Sequence, residues 1–127
     1  MELRYARQPA LAHAPRVRIA ATDDRYVLVE VAGEIDILSR HELAEVLTRA
    51  VDGGAPAVIV DLSAVTLLSA AGFHCLQHAG DRLALRRGRL HVVCAAGSLP
   101  ERILRLFDPD GRWPRFADAQ AAIACGA

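Results

Sequence analysis

The sequence predicts an α/β fold, a mixed and mostly parallel β-sheet flanked by α-helices, with elements in the order β-β-α-β-α-β-α-β-α. Three observations carry that expectation. Runs rich in β-branched residues alternate with segments of helical period, which calls for right-handed crossovers between parallel strands. Residues 57–62 (Ala-Val-Ile-Val-Asp-Leu) are almost continuously apolar, as in a strand covered on both faces. Near the start, two strand-like runs are separated by turn residues alone, so a hairpin should form an antiparallel edge. At 127 residues the chain has room for one domain. A chain of this size buries roughly two-thirds of its unfolded surface.

Residues 1–15 mix Arg, Ala and two prolines without a period and read as a flexible N-terminal arm, leaving residues 16–127 as the domain. Residues 16–20 alternate at period two, Thr22, Asp23, Asp24 and Arg25 supply turn chemistry, and residues 26–31 form a β-branched strand that Gly33 should end. Ser39 and Glu42 have the spacing of a capping box, so a helix should begin at Arg40. Its residues Leu43, Val46, Leu47, Ala50 and Val51 make one buried stripe, and Gly53 and Gly54 stop it. A second helix is expected from Gly72 to Arg87, with Phe73, Leu76, Ala79, Gly80, Leu83 and Ala84 inward and His74, His78 and Asp81 opposite. Residues 90–95 read as a strand and residues 100–107 as a short helix with Ile103, Leu104 and Phe107 inward. A short strand within residues 112–116 and a final helix capped by Asp118 complete the order.

Fifteen basic and fifteen acidic residues give a net charge of +0, so nothing global draws the chain to nucleic acid or to an acidic membrane surface. All fifteen basic residues are Arg, which with the many alanines points to coding bias rather than to phosphate recognition. Cys75, Cys94 and Cys125 are odd in number and widely spaced, which fits neither a disulfide framework nor a CxxC metal site. With no signal-like or membrane-length apolar run, the expectation is a cytoplasmic protein that does not insert in a membrane.

Phosphate-cradling glycine motifs and the G-x-S-x-G elbow are missing. No catalytic residue, cofactor or metal is therefore expected. His74, His78 and Asp81 have a spacing that can hold a divalent ion, against the simpler reading of a solvated helix face. Arg82, Arg86, Arg87 and Arg89 read more simply as cations complementing a helix C-terminus than as a nucleic-acid patch. Cys75 lies near a helix start whose dipole can lower a thiol pKa, but a structural thiol is the better reading. The best physical candidate is the junction of residues 65–73, where a buried strand passes into a helix. Free N–H groups and positive dipole gather at such a junction, at the exposed carboxyl end of the strands.

Gly33-Glu34-Ile35-Asp36 before a capped helix, then Val60-Asp61-Leu62-Ser63-Ala64-Val65 leading to Ser69-Ala70-Ala71-Gly72-Phe73, resembles the STAS domain of bacterial anti-sigma factor antagonists. Leu90-His91-Val92-Val93-Cys94 and Ile103-Leu104-Arg105-Leu106-Phe107 also look like the family's later strand and its short helix. The resemblance implies a non-enzymatic STAS-like domain that binds an anti-sigma factor of kinase-type ATPase fold and so releases a sigma factor. It also implies partner contact through the helix start at residues 69–73 and the loop of residues 33–38, with Glu34, Asp36, Ser69, Ala70, Ala71, Gly72 and Phe73 as the contact residues and Leu67 and Leu68 either core or apolar partner surface.

The family's switch segment usually reads Asp-Ser-Ser-Gly or Asp-Ser-Thr-Gly, and the partner kinase phosphorylates a serine within it. With Gly72 on the motif's glycine, Ser69 takes the aspartate position and Ala70 and Ala71 take the hydroxyl positions. Neither alanine accepts phosphate. Ser69 is read as an N-cap, with modification of its hydroxyl as the alternative. Glu34 and Asp36 serve either the turn into the helix or the partner surface. Other functions kept open are a soluble STAS subunit of a membrane lipid or anion transport complex and a small-ligand sensor. Monomer and weak dimer remain alternatives.

Overall fold

The computed structural model describes residues 15–125, so the expected arm lies, apart from Pro15, outside the described residues. Five strands form one sheet in the order β1-β2-β3-β4-β5: β1 (Arg16–Thr22), β2 (Tyr26–Ile35), β3 (Ala57–Leu68), β4 (Arg89–Val93) and β5 (Arg115–Phe116). β1 runs antiparallel to β2 and every other neighbouring pair is parallel. The hairpin edge, the parallel body and the alternation of strands with helices are borne out. The helices are α1 (Arg40–Asp52), α2 (Ala70–Ala84), α3 (Leu99–Phe107) and α4 (Ala119–Ala124).

β3 is buried on both faces over residues 57–60, as a central strand flanked by parallel neighbours must be. Val58 and Val60 face one side with Leu90 and Val92, forming the main core with Leu43, Leu47, Phe73, Leu76 and Leu83 from the helices. Ile59 and Val93 face the other side, where Ala122 of α4 and Leu28 meet them. The α1 stripe is buried as expected, at Leu43, Val46, Leu47, Ala50 and Val51.

Several boundaries differ from the expectation. β2 does not stop at Gly33. It passes through that residue at φ 90° with a register shift and continues to Ile35. Glycine is the residue that adopts this conformation at a bulge without steric cost. The continuation gives β3 a partner beyond Leu62, so residues 63–68 are strand, pairing as far as Ile35 with Leu68. α2 accordingly begins at Ala70 rather than Gly72 and ends at Ala84, which is exposed. Arg87, at φ 63°, turns the chain into Gly88 and β4.

The capping box is also corrected. Ser39 precedes α1, but its hydroxyl makes no bond to the helix. Ser39 Oγ accepts from Asp36 N (3.0 Å) and lies 2.9 Å from Asp36 Oδ1 and 3.1 Å from the Glu34 carbonyl. A carboxylate three residues upstream outcompetes the helix for this serine. By contrast, Asp118 Oδ1 accepts from Ala121 N (2.8 Å), capping α4 as expected.

In α3 only Leu104 of the three expected inward residues is fully buried. Ile103 is half-buried, and Phe107 stays partly exposed, its ring stacked on Phe73 at 5.3 Å. The inward place is filled by Trp113, which lies 5.5 Å from Phe73. Gly80 makes room for it, since a Cβ there would sit 2.8 Å from Trp113 Nε1. The segment carrying Trp113 is held by Asp108, whose buried carboxylate accepts from Arg112 N, Arg112 Nε and Arg115 Nη2. Burial pushes the Asp108 pKa up, but the Arg112 hydrogen bonds and both guanidinium charges outweigh it and hold the carboxyl below the usual carboxylate range.

Candidate functional site

The sheet brings two strand-to-helix junctions side by side. β2 and β3 end at Ile35 and Leu68, which pair in register, and Ser69 N donates to the Ile35 carbonyl at 2.9 Å. The start of α2 and the loop of residues 36–39 therefore lie next to each other at the carboxyl end of the strands. The structure brings Glu34, Asp36, Ser69, Ala70, Ala71, Gly72 and Phe73 into one region.

At the α2 junction, Ser69 has extended backbone angles and its Oγ accepts from Gly72 N at 3.3 Å, the geometry of an N-cap. Gly72 is buried, and a Cβ on it would meet Leu68 Cδ1 at 2.7 Å and Ile35 Cγ2 at 2.8 Å. Only a residue without a side chain lets the first turn rest directly on both strand ends. Phe73 then plugs the core between Phe107 and Trp113. Outward from that fixed turn, Ala70 is exposed and Ala71 half-buried. No acidic side chain lies in the first turn of α2.

In the neighbouring loop Asp36 is an internal organiser. Its Oδ1 accepts from Leu38 N and Ser39 N, both at 3.0 Å. Bonds to the Ser39 side chain and backbone hold its pKa below the usual value. The turn so fixed displays Ile37 and Leu38, which are 70% and 83% exposed, and Leu67 of β3 is 39% exposed nearby. Leu68, by contrast, is core.

The other sequence candidates do not assemble. His74, His78 and Asp81 are all exposed, and no group of three His, Cys, Asp or Glu side chains able to hold a metal occurs among the described residues. Arg82 is paired with Asp52, and Arg86 donates to the Ala55 carbonyl at 3.0 Å, so this patch is tied to the fold. Cys75 Sγ lies 3.6 Å from the Arg40 carbonyl, and burial pushes its pKa up despite the nearby Arg40 charge, the reverse of an activated thiol. No helix among the described residues is long and apolar enough to cross a membrane. Ile37 and Leu38 fall within the expected contact loop of residues 33–38 but were not named individually, and sequence reasoning gave Trp113 no role. Gly80, a glycine in mid-helix, was the available signal for Trp113.

The family model of the STAS domain matches residues 17–108. The chain belongs to the STAS domain family. A search of curated proteins by sequence found no match. Among solved structures, this STAS domain is similar to an anti-sigma factor antagonist from Mycobacterium paratuberculosis (TM-score 0.79, 24% identity, covering 90% of this chain and 95% of that one). It is also similar to an anti-sigma-factor antagonist STAS domain protein from Planctomyces limnophilus (TM-score 0.73, 18% identity, covering 87% of this chain and 97% of that one). A third similar structure is the Bacillus cell fate determinant SpoIIAA in its phosphorylated form (TM-score 0.69, 17% identity, 87% and 98% covered). The mixed five-stranded sheet and its helix order are those of this fold.

Proposed function

We propose that this STAS domain is an anti-sigma factor antagonist, a non-enzymatic cytoplasmic module that binds an anti-sigma factor of kinase-type ATPase fold and frees a sigma factor. Contact runs through the start of α2, residues 69–73, and the loop of residues 33–38. The family match and the likeness to solved antagonists support the role. The reading adds that the usual serine phosphorylation switch is missing.

The observation carrying that addition is exposed Ala70 and half-buried Ala71 in the first turn of α2, where the family's hydroxyls stand. A phosphoryl group there would bring about −1.5 to −2 charges to the docking surface. Without an acceptor, binding stays permanently competent, and control passes to expression or to another protein. Ser69, one residue earlier, has its oxygen directed at Gly72 N, which favours a capping role.

The test is incubation with the ATPase-fold anti-sigma factor of the same genome and ATP. An unchanged intact mass together with a stable complex is the expected result, and a phosphopeptide containing Ser69 overturns the switchless reading. Capture of a transporter ATPase in place of an anti-sigma factor would assign the chain to a membrane transport complex.

A further inference from the structure

The two faces of the sheet are closed by unequal means. Leu43, Leu47, Phe73 and Leu76 of the two long helices seal the main core. The opposite face is covered by the six-residue α4, which contributes the small side chains of Ala119 and Ala122 together with Ile123. Beneath this light cover lies a histidine. His91 of β4 is 3% exposed, is in register with Ile59, and faces the same way as Val93 two residues on, with the Phe116 ring 5.3 Å from its own. Its Nδ1 is buried and has no hydrogen-bond partner among the described residues. Buried polar atoms are ordinarily paired, and a protonated ring here would add a charge to an apolar layer.

The charged groups around His91 do not compensate for that proton. On its own strand Arg89, two residues earlier on the same face, is a like charge. Two carboxylates border the face and both are engaged: Asp61 of β3 with Ser63 N and Oγ, and Asp118 with Ala121 N. On β5 the Arg115 guanidinium is turned to Asp108, and residues 119–124 of α4 carry no titratable side chain, with exposed Cys125 following them. Burial first, and the Arg89 charge second, hold the His91 pKa below the ordinary histidine value.

We propose that His91 is a pH-sensitive latch for α4: a proton on the imidazole calls for water at the ring, and the helix lifts from the sheet to admit it. α4 is the element that yields because it is short and buries little apolar surface, while Phe73 and Trp113 keep the other face closed. The lifted state uncovers Ile59 and Val93. Its His91 titrates near the ordinary value of about 6.5, above that of the closed state, so the closed state is favoured most above about pH 6.5. As pH falls through the interval below, opening becomes easier by up to about tenfold per pH unit.

Amide hydrogen exchange of the full chain, followed by NMR from about pH 7.5 to about pH 5 and corrected for intrinsic exchange rates, reads this opening. The Ala122 and Cys125 amides, bonded to the Asp118 and Ala121 carbonyls, should lose about tenfold in protection, with little dependence on low denaturant. His91→Leu, neutral at every pH, should abolish the acid-induced loss. His41, His74 and His78 are exposed, so water reaches them with α4 closed. Protection that is constant with pH, or a loss that persists in His91→Leu, overturns the latch. So does a denaturant slope for α4 equal to that of the Val60 amide, since the whole domain would then be unfolding. Should His91→Leu not fold, the His91 ring resonances of the unaltered chain decide: titration at about 6.5 with α4 exchange unchanged overturns the proposal, and titration below that value in step with α4 exchange supports it.

Discussion

Two serines precede the two long helices of this domain, and they behave differently. Ser69 caps α2, while Ser39 turns away from α1 toward Asp36 and Glu34. The residue type is the same, and both sit where a parallel strand passes into a helix. The difference is a competing carboxylate. Asp36 stands three residues before Ser39 and captures its hydroxyl, whereas the residues before Ser69 are leucines already committed to β3. One junction is therefore built as a braced loop and the other as a capped helix resting on the strand ends.

The largest expected effect comes from breaking the close contact at the capped junction. Gly72→Leu drives a side chain into Leu68 and Ile35 and should cost about 1–3 kcal/mol, read from denaturant unfolding. Retention of full stability would mean that α2 does not rest on the strands as described. Next, Ser69→Ala removes the cap and should cost about 0.5–2 kcal/mol, while Ser69→Asp, which also caps, should keep most of the stability. If both variants lose equally, Ser69 is not acting as a cap.

The smallest effect is at the braced loop and is read from pH. The Asp36 pKa is depressed in the folded state, so its contribution is fully present above the unfolded value of about 3.9. It is lost as pH falls through the lower, folded value. Asp36→Asn should lower the unfolding midpoint at neutral pH and narrow its difference from the unaltered chain as the solution is acidified below about pH 4. A constant difference across that range would show that the carboxylate charge is not what braces the loop.

Much of this architecture was legible because its signals are local. The α1 stripe repeats at helical spacing with nothing to contradict it, and the β-branched run of residues 57–62 can scarcely be anything but a central strand. The misreadings fall where a partner outside the local pattern decides. Residues 63–68 alternate only loosely, and they become strand because β2 continues beyond its bulge at Gly33 to pair with them. The serine-to-glutamate spacing at Ser39 and Glu42 is a sound capping signal in isolation, defeated by one upstream aspartate. At the candidate site, the sequence picked out two junctions that the sheet places side by side, and in the first of them it named the charged residues Glu34 and Asp36. That Asp36 faces inward and Ile37 and Leu38 outward depends on a hydrogen-bonded turn that no periodicity announces.

The keying of Trp113 against Gly80 sets the physical limit of the domain. The family match ends at residue 108, yet the indole beyond it fills the main core, and Phe116 and Ala122 cover the opposite sheet face. A fragment trimmed to the matched boundary would lose a plug from one side and a roof from the other, leaving Ile59 and Val93 open to water. The last stretch of the chain is thus a closing piece of the barrier between oil and solvent, and any shortened version has to retain it to stay folded.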